Sequence, residues 1–325
     1  MRTSIIFLIL LTGFPIQSFA GTCKSNGKFT LLLHGGAGAG KTPAKILEKQ
    51  KKIMGKALQK GFEILKNGGT SVSAVEEAIR IMENSPVYNA GRGGVPNEAG
   101  FVELDASIMR GKDLAAGATA ATQTVKNPIT AARTVMEKSR HVFFVGKGAD
   151  KFAKSMGLKT MKPSYFKQAK LYEKPESAKK FGTVGAVALD SCGDLAAGTS
   201  TGGFDSKTPG RVGDSPVIGA GTYANNKTCA VSSTVHGEYF IRFAAAVSIS
   251  HLMEYKKISV EDASKNVIFN QLKPAGGIGG VIVLDKKGNM AWPYSSKAMI
   301  RGYVKETGER KIGTFKRMEA LTDAK

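Results

Sequence analysis

The sequence has little cysteine, few aromatic rings, a deficit of acidic residues and, beyond its first twenty residues, no long apolar run. Each scarcity excludes something. Three cysteines, Cys23, Cys192 and Cys229, are an odd count that cannot close a disulfide framework; one bridge at most is possible and none is required. The apolar run Ile5 to Leu11 falls far short of the roughly 20 residues that span a bilayer, and no later segment reaches that length without charge, so no membrane span is expected. With 47 basic against 26 acidic residues the formal charge is +21, which brings nucleic acid or an anionic envelope surface into consideration. The lysines are scattered, however, aromatics make up only 8% of the chain, and no nucleic-acid motif is present. The expectation is a solvated basic surface with no nucleic-acid partner.

What is present starts with a leader. Residues 1–20, MRTSIIFLILLTGFPIQSFA, combine an early Arg, a short apolar run and small residues Ser18 and Ala20 at the exit, the pattern of a secretory signal peptide. The expectation is a secreted or periplasmic chain starting near Gly21. Thr22 is a poor fit to the small residue that a lipid anchor on Cys23 would need before it. The remainder, 42% apolar over the whole chain, can bury a large core as one domain or two.

Segment Phe29 to His34 reads as a buried strand, after which Ile46, Ile53, Leu58, Phe62 and Leu65 fall at helical spacing and Asn67-Gly68-Gly69 ends the helix. A second helix follows through Val72, Val75, Ile79 and Met82; a third opens at Asn127-Pro128 with Asn127 as cap. Ser259 with Asp262 marks another start, resembling a capping box. Small-residue strands are expected at 102–109, 114–122, 183–190, 195–200, 229–235 and 280–285. They lack alternation, so both faces should be covered, and the turn Asp190 to Asp194 implies an antiparallel hairpin. A layered α/β sandwich satisfies both observations. The Lys-rich stretch Ser155 to Lys180 reads as a mobile linker.

Gly35 to Thr42 satisfies the phosphate-loop pattern, with Lys41 for terminal phosphates and Thr42 for magnesium. Against it stand the leader, which delivers the chain away from ATP, and Pro43, which removes a backbone donor. A denser constellation lies downstream: Gly182-Thr183, Thr199-Ser200-Thr201-Gly202-Gly203, Gly210-Arg211-Val212-Gly213-Asp214 and Ser233-Thr234. The Arg fork suits a carboxylate and the Asp an ammonium, so Arg211 and Asp214 together could clamp the zwitterionic end of an amino acid.

These stretches, with LHGGAG, SPVYNAGRGGV, ELDASIMRG, NPITAAR, GTVGAVALD, TSTGG, GRVGDSPVIGAGTYANN and GGVIVLD in order along the chain, closely resemble the plant-type asparaginase and isoaspartyl peptidase family of N-terminal-nucleophile hydrolases. In that light the phosphate-loop match is accidental. The resemblance implies a four-layer αββα sandwich, one folded domain cut between Gly182 and Thr183 into an alpha subunit (21–182) and a beta subunit (183–325). Cleavage gives Thr183 a free α-amine that can take its own hydroxyl proton. By the same resemblance Thr183 is the nucleophile toward asparagine or β-aspartyl dipeptides, Thr201 tunes it, and Thr234 with the N–H of Val235 receives the oxyanion. Arg211 holds the substrate α-carboxylate and Asp214 its α-ammonium, with Gly237 lining the pocket. No catalytic cofactor is implied. A structural sodium ion is, held by the carbonyls of Met82, Glu83, Ser85, Tyr88, Ala90 and Arg92, a hard cation on oxygen ligands, with Asn89 nearby supporting the active site. Kinship also implies a dimer of cleaved αβ protomers; glycosylasparaginase activity on the same scaffold is the alternative, ahead of a phosphate-loop nucleotide hydrolase or an uncleaved basic protein that binds an anionic envelope. One departure stands out: relatives usually place glycine after the oxyanion threonine, whereas this chain has Val235 and His236. Valine keeps the N–H but is ill suited to positive φ.

Overall fold

The computed structural model describes residues 27–38, 42–166 and 182–321. The expected leader, Cys23, Lys41 and most of the expected linker lie outside the described residues.

The strand expected at Phe29 to His34 is β1 (Thr30–Gly38), buried except at its last residue. Its side chains alternate between two cores, as the period of two requires. Leu31 and Leu33 meet helices α1 (Ala44–Lys66) and α2 (Ser71–Glu83) in a cluster with Met54, Leu58, Val75 and Ile79. Leu32 points the other way, into a cluster with Val187, Ala197, Ile282 and Leu284.

β1 lies inside a nine-stranded sheet in the order β13 (Met318–Ala320), β12 (Arg310–Gly313), β11 (Ala298–Lys305), β1, β5 (Val184–Leu189), β6 (Leu195–Thr201), β2 (Leu104–Arg110), β3 (Ala116–Thr122), β4 (Phe143–Val145). Every pairing is antiparallel except β3 with β4. A second sheet runs β10 (Met290–Ala291), β9 (Gly279–Asp285), β8 (Cys229–Val235), β7 (Thr222–Ala224), all antiparallel. The Leu32 cluster draws Ala230, Ile282 and Leu284 from this sheet and Val187, Ala197 and Met299 from the first. On its other side the smaller sheet contributes Val231, Val281 and Val283 to a cluster with Phe240, Ile249 and Val267 from α5 (Gly237–Arg242), α6 (Ala245–Lys256) and a π-helical segment Asn266–Leu272 that continues α7 (Val260–Lys265). The strands are thus covered on both faces, which is why their sequences do not alternate.

The expected helix starts hold with one correction. Thr70 caps α2 by accepting from Ser73 N, and Ser259 caps α7 by accepting from Asp262 N. Asn127 precedes α3 (Pro128–Lys138) but its side chain makes no cap; its amide donates to Glu83 and Asn84, and Glu83 Oε1 itself accepts from Ile129 N at the start of the helix. The strand expected from Leu114 begins at Ala116, since Leu114 has φ +59° and turns the chain. The expected linker is corrected in its first part: α4 (Gly146–Ser155) ends there, Thr160 bridges to Val125, and Phe166 is buried with Val102 and Leu104. Gly35 to Gly38 continue β1 against β11, with a bulge between His34 and Ala37, so these glycine amides do not curl around an anion. Cys192 is disulfide-bonded and Cys229 is a buried free thiol. No helix among the described residues is long and apolar enough to cross a membrane.

Candidate active site

Antiparallel pairing of β5 with β6 sets Val184 opposite Ser200, so the residue before β5 meets the residue that ends β6. There the Thr183 hydroxyl donates to Thr201 Oγ1 at 3.0 Å, with both residues buried. Thr201 Oγ1 also accepts from Gly203 N at 2.9 Å. Thr234 approaches from β8 of the other sheet, its Oγ1 accepting weakly from Ala37 N at 3.4 Å. A β-carbon on Gly182 would lie 3.2 Å from that same oxygen. β1 comes equally close: Gly36 takes φ +101°, and a β-carbon on it would strike Gly182 N at 2.4 Å. Only glycine satisfies both the backbone angle and the approach.

Gly182, Thr183 and Thr201 open onto a cavity of about 880 Å³ whose lining also includes Arg211, Asp214 and Val235; Thr234 and Gly237, expected at the pocket, lie behind this lining and do not form part of it. Arg211 donates through Nε and Nη2 to Glu238 Oε1 at 2.9 and 2.8 Å and stacks 4.4 Å from the Phe204 ring centre. Asp214 is buried, and its Oδ2 has no hydrogen-bond partner among the described residues. Burial pushes its carboxyl up to about 7, since an unpaired charge is costly away from water. A buried carboxylate oxygen without a donor, in a cavity wall beside a guanidinium, suits an incoming ammonium. Gly237 permits the pairing: a β-carbon there would sit 2.8 Å from Asp214 Oδ1 and 3.0 Å from Arg211 Nη2.

Asn89 lies beneath this floor. It donates to Gly203 O at 2.7 Å and accepts from Val95 N at 3.0 Å, while Gly202 N donates to its backbone oxygen. It fixes the turn after Thr201. Val235 adopts φ +91°, so the valine does sit where glycine is the easy choice, a strained position for a β-branched residue. His236 lines the cavity, its ring between Phe204 and Tyr239 and its Nδ1 accepting from Ile278 N at 3.3 Å.

The segment from Met82 to Arg92 crowds carbonyls around two glycines. A β-carbon on Gly91 would lie 2.6 Å from Glu83 O, and one on Gly93 would lie 2.0 Å from Tyr88 O and 2.9 Å from Pro86 O. Met82 O and Ala90 O also accept from Ser85 N and Gly93 N. Oxygen donors of this kind suit a hard cation, and among the described residues no His, Cys, Asp and Glu grouping could hold a metal ion. The Glu83 side chain has a different task. Buried and pushed by burial up to about 7, it accepts from Ser200 Oγ at 2.7 Å and Ile129 N at 2.9 Å, joining α2, β6 and α3.

Sequence reasoning missed three participants. Glu238, which holds Arg211, follows Gly237 directly, and an acid next to a pocket glycine was the available signal. Phe204, which carries the Arg211 guanidinium, had none. His34 donates to or accepts from Ser232 Oγ at 3.0 Å; burial holds it neutral, down to about 3, and it heads a buried hydroxyl chain through Thr199, Thr222 and Ser107.

A sheet-based scaffold that brings a hydroxyl pair, a guanidinium and a buried carboxylate to one cavity matches a described family. The profile described as asparaginase covers residues 27–179 and 167–314, and the chain belongs to that family. Among its curated relatives, an isoaspartyl peptidase of Salmonella typhimurium is 43% identical over 86% of this chain and 97% of its own length. The isoaspartyl peptidase of Escherichia coli is 41% identical, covering 86% and 95%. The human isoaspartyl peptidase/L-asparaginase is 42% identical, covering 83% and 91%.

Proposed function

We propose that this chain is a self-processing amidohydrolase that cleaves the side-chain amide or isopeptide bond of aspartyl groups, with Thr183 as nucleophile. The observation that carries the reading is the Thr183–Thr201 hydroxyl contact of 3.0 Å in a cavity that also presents Arg211 and the unpartnered oxygen of Asp214. The names of the relatives, isoaspartyl peptidase and L-asparaginase, support the substrate class. Maturation begins when the Thr183 hydroxyl attacks the Gly182 carbonyl; the peptide nitrogen departs as the Thr183 amine, and water hydrolyses the resulting ester. That amine is then the base nearest the nucleophile. In turnover, Thr183 Oγ1 attacks the aspartyl side-chain carbonyl while Thr234 and the Val235 N–H stabilise the oxyanion. The amine leaves with a proton, and water releases aspartate from the acyl-enzyme.

The same reading includes the four-layer αββα arrangement, supported by the three apolar clusters that separate helices, sheets and helices. It includes subunits 21–182 and 183–325, export through residues 1–20, and pairing of two cleaved protomers. A structural sodium ion on the carbonyls of Met82, Glu83, Ser85, Tyr88, Ala90 and Arg92 would neutralise their dipoles and stiffen the loop beneath Asn89; it takes no part in bond breaking.

The test is direct. Purified protein should run as two chains under denaturing conditions, the smaller starting at Thr183 by intact mass, and should release aspartate from asparagine and β-aspartyl dipeptides. Thr183→Ala should leave one chain and no turnover. A wild-type chain that stays intact, or turnover retained by Thr183→Ala, overturns the assignment.

A further inference from the structure

Helix α1 is rich in lysine and contains no arginine. Lys45, Lys49, Lys52 and Lys56 recur at i, i+4, i+7 and i+11, which at 3.6 residues per turn keeps them within about 60° of one another over roughly 16 Å of helix. All four are exposed. Met54, Leu58, Gly61 and Leu65 occupy the opposite side and are buried; Met54, Leu58 and Leu65 join the cluster that holds Leu31 and Leu33 of β1. The core therefore fixes the rotation of the helix, and the four lysines form a ridge on its solvent side.

None of the four, nor Glu48 beside them, forms an ion pair among the described residues. The α1 lysines that do are Lys51, with Glu319 at 2.7 Å, and Lys60, with Glu63 at 3.9 Å. On the neighbouring α2, Glu77 is engaged by Arg80 at 2.6 Å and Glu76 by Arg133 at 2.8 Å. Like charges at i, i+4 destabilise a helix, so the ridge carries a repulsion that an anionic surface would relieve. Across the chain 47 basic residues stand against 26 acidic ones, and the field of the whole molecule attracts the same kind of partner.

The make-up of the ridge decides among anionic partners. Nucleic acid is held by guanidinium forks on phosphates and by aromatic faces under bases, and the ridge offers neither. A second copy of this chain would set lysine against lysine. Lysine is a compact charge on a flexible stem, and a fluid lipid surface can bring a head group to each one. We infer that α1 docks on an anionic phospholipid bilayer, lying along its surface with Lys45, Lys49, Lys52 and Lys56 toward the head groups. The contact is peripheral and electrostatic, with no segment inserted.

The experiment sediments the purified protein with vesicles of phosphatidylglycerol and phosphatidylcholine in equal parts, or of phosphatidylcholine alone. Each lysine near an anionic leaflet strengthens partitioning by about fivefold, so the four should favour the anionic vesicles by at least about a hundredfold. Salt that shortens the Debye length from about 10 Å to about 3 Å should release the protein. Replacing the four by Glu should lower binding to the level on neutral vesicles, and replacing them by Gln should remove most of the preference. Lys256, Lys257, Lys286 and Lys287 supply the charge-matched control: they are exposed on elements of the smaller sheet and its helices, whereas α1 packs on the larger sheet. Their replacement by Glu should leave binding within about tenfold of wild type, since charges beyond a Debye length are screened. Equal partitioning onto the two vesicle types, equal loss in the two Glu quartets, or binding unmoved in both ridge variants overturns the inference. Ridge-dependent binding to a DNA duplex, without binding to the anionic vesicles, overturns it in favour of nucleic acid.

Discussion

Asp214 shows how one side chain links binding, stability and pH. Its carboxyl is raised from the usual 3.8 to about 7, first by burial, so it is largely neutral in mildly acidic solution and ionised above neutrality. Only the ionised form can hold a substrate ammonium. We expect kcat/KM to rise with pH through about 7 and kcat to level off at lower pH, since a bound ammonium favours the carboxylate. The stability sign is opposite. A carboxyl raised in the folded state contributes stability that is complete below its unfolded value and lost as pH rises through about 7. Asp214→Asn should remove that loss, seen as a shrinking stability deficit, then a surplus, relative to wild type in urea titrations between pH 4 and 8. Glu83 is raised for the same reason, so the comparison must be the difference between the two proteins. The same substitution should lower kcat/KM by at least about tenfold, the scale for losing one partner of a desolvated ion pair. The sequence made Arg211 and Asp214 legible as a clamp because a guanidinium and a carboxylate suit the two charged ends of an amino acid and because their stretch resembles the family's; taken singly, each would suit a salt bridge in a turn. Phe204 had no sequence signal and Glu238 only its place after Gly237, since what they do depends on where the fold puts Arg211.

At the scale of elements, close packing of small residues sets the geometry. Gly117 on β3 faces α3, and a β-carbon there would meet Ala132 O at 2.1 Å and Met136 N at 2.4 Å. Backbone atoms cannot swing aside, so Gly117→Ala must push α3 off the sheet. We expect a loss of about 3 kcal/mol in chemical denaturation, the upper range for overpacking. An unchanged midpoint would show that α3 is less tightly seated than these distances require. Helices α1 and α2 were readable because their apolar residues recur at helical spacing over a half-buried face. α6 was not readable: its sequence, AAVSISHLMEYK, spreads apolar residues around the helix. Asn127 misled as a cap because Glu83, distant in sequence, accepts from the Ile129 N–H at this helix start.

At the scale of the whole molecule, the order of strands decides what the proposed cleavage would do. β1 belongs to the segment before Thr183, yet its two neighbours, β5 and β11, belong to the segment after it. Register spans Thr30 with Leu189 through His34 with Gly185 on one side, and Thr30 with Lys305 through Gly38 with Ala298 on the other. The pieces of the proposed cut should therefore co-elute in native size-exclusion chromatography and separate only in denaturant. Pieces that part on their own under native conditions would contradict this sheet order. Leu32 lies at the centre of the cluster between the sheets, and Leu32→Ala should cost about 2–5 kcal/mol, as buried leucine truncations do.

What the sequence by itself determined about this protein is local: strand and helix identity from periodicity, the Gly182-Thr183 pair, and a family kinship spread along most of the chain. The strain expected at Val235 was also local, because φ preference is a property of one residue. Tertiary structure decided what depends on residues far apart in the chain. It set Thr201 against Thr183 through the β5–β6 register, left Asp214 Oδ2 without a hydrogen-bond partner among the described residues, gave Arg211 to Glu238, and brought Lys297 into the wall of the same cavity. Those relations rest on burial and distance, quantities that arise only when the two sheets close on each other.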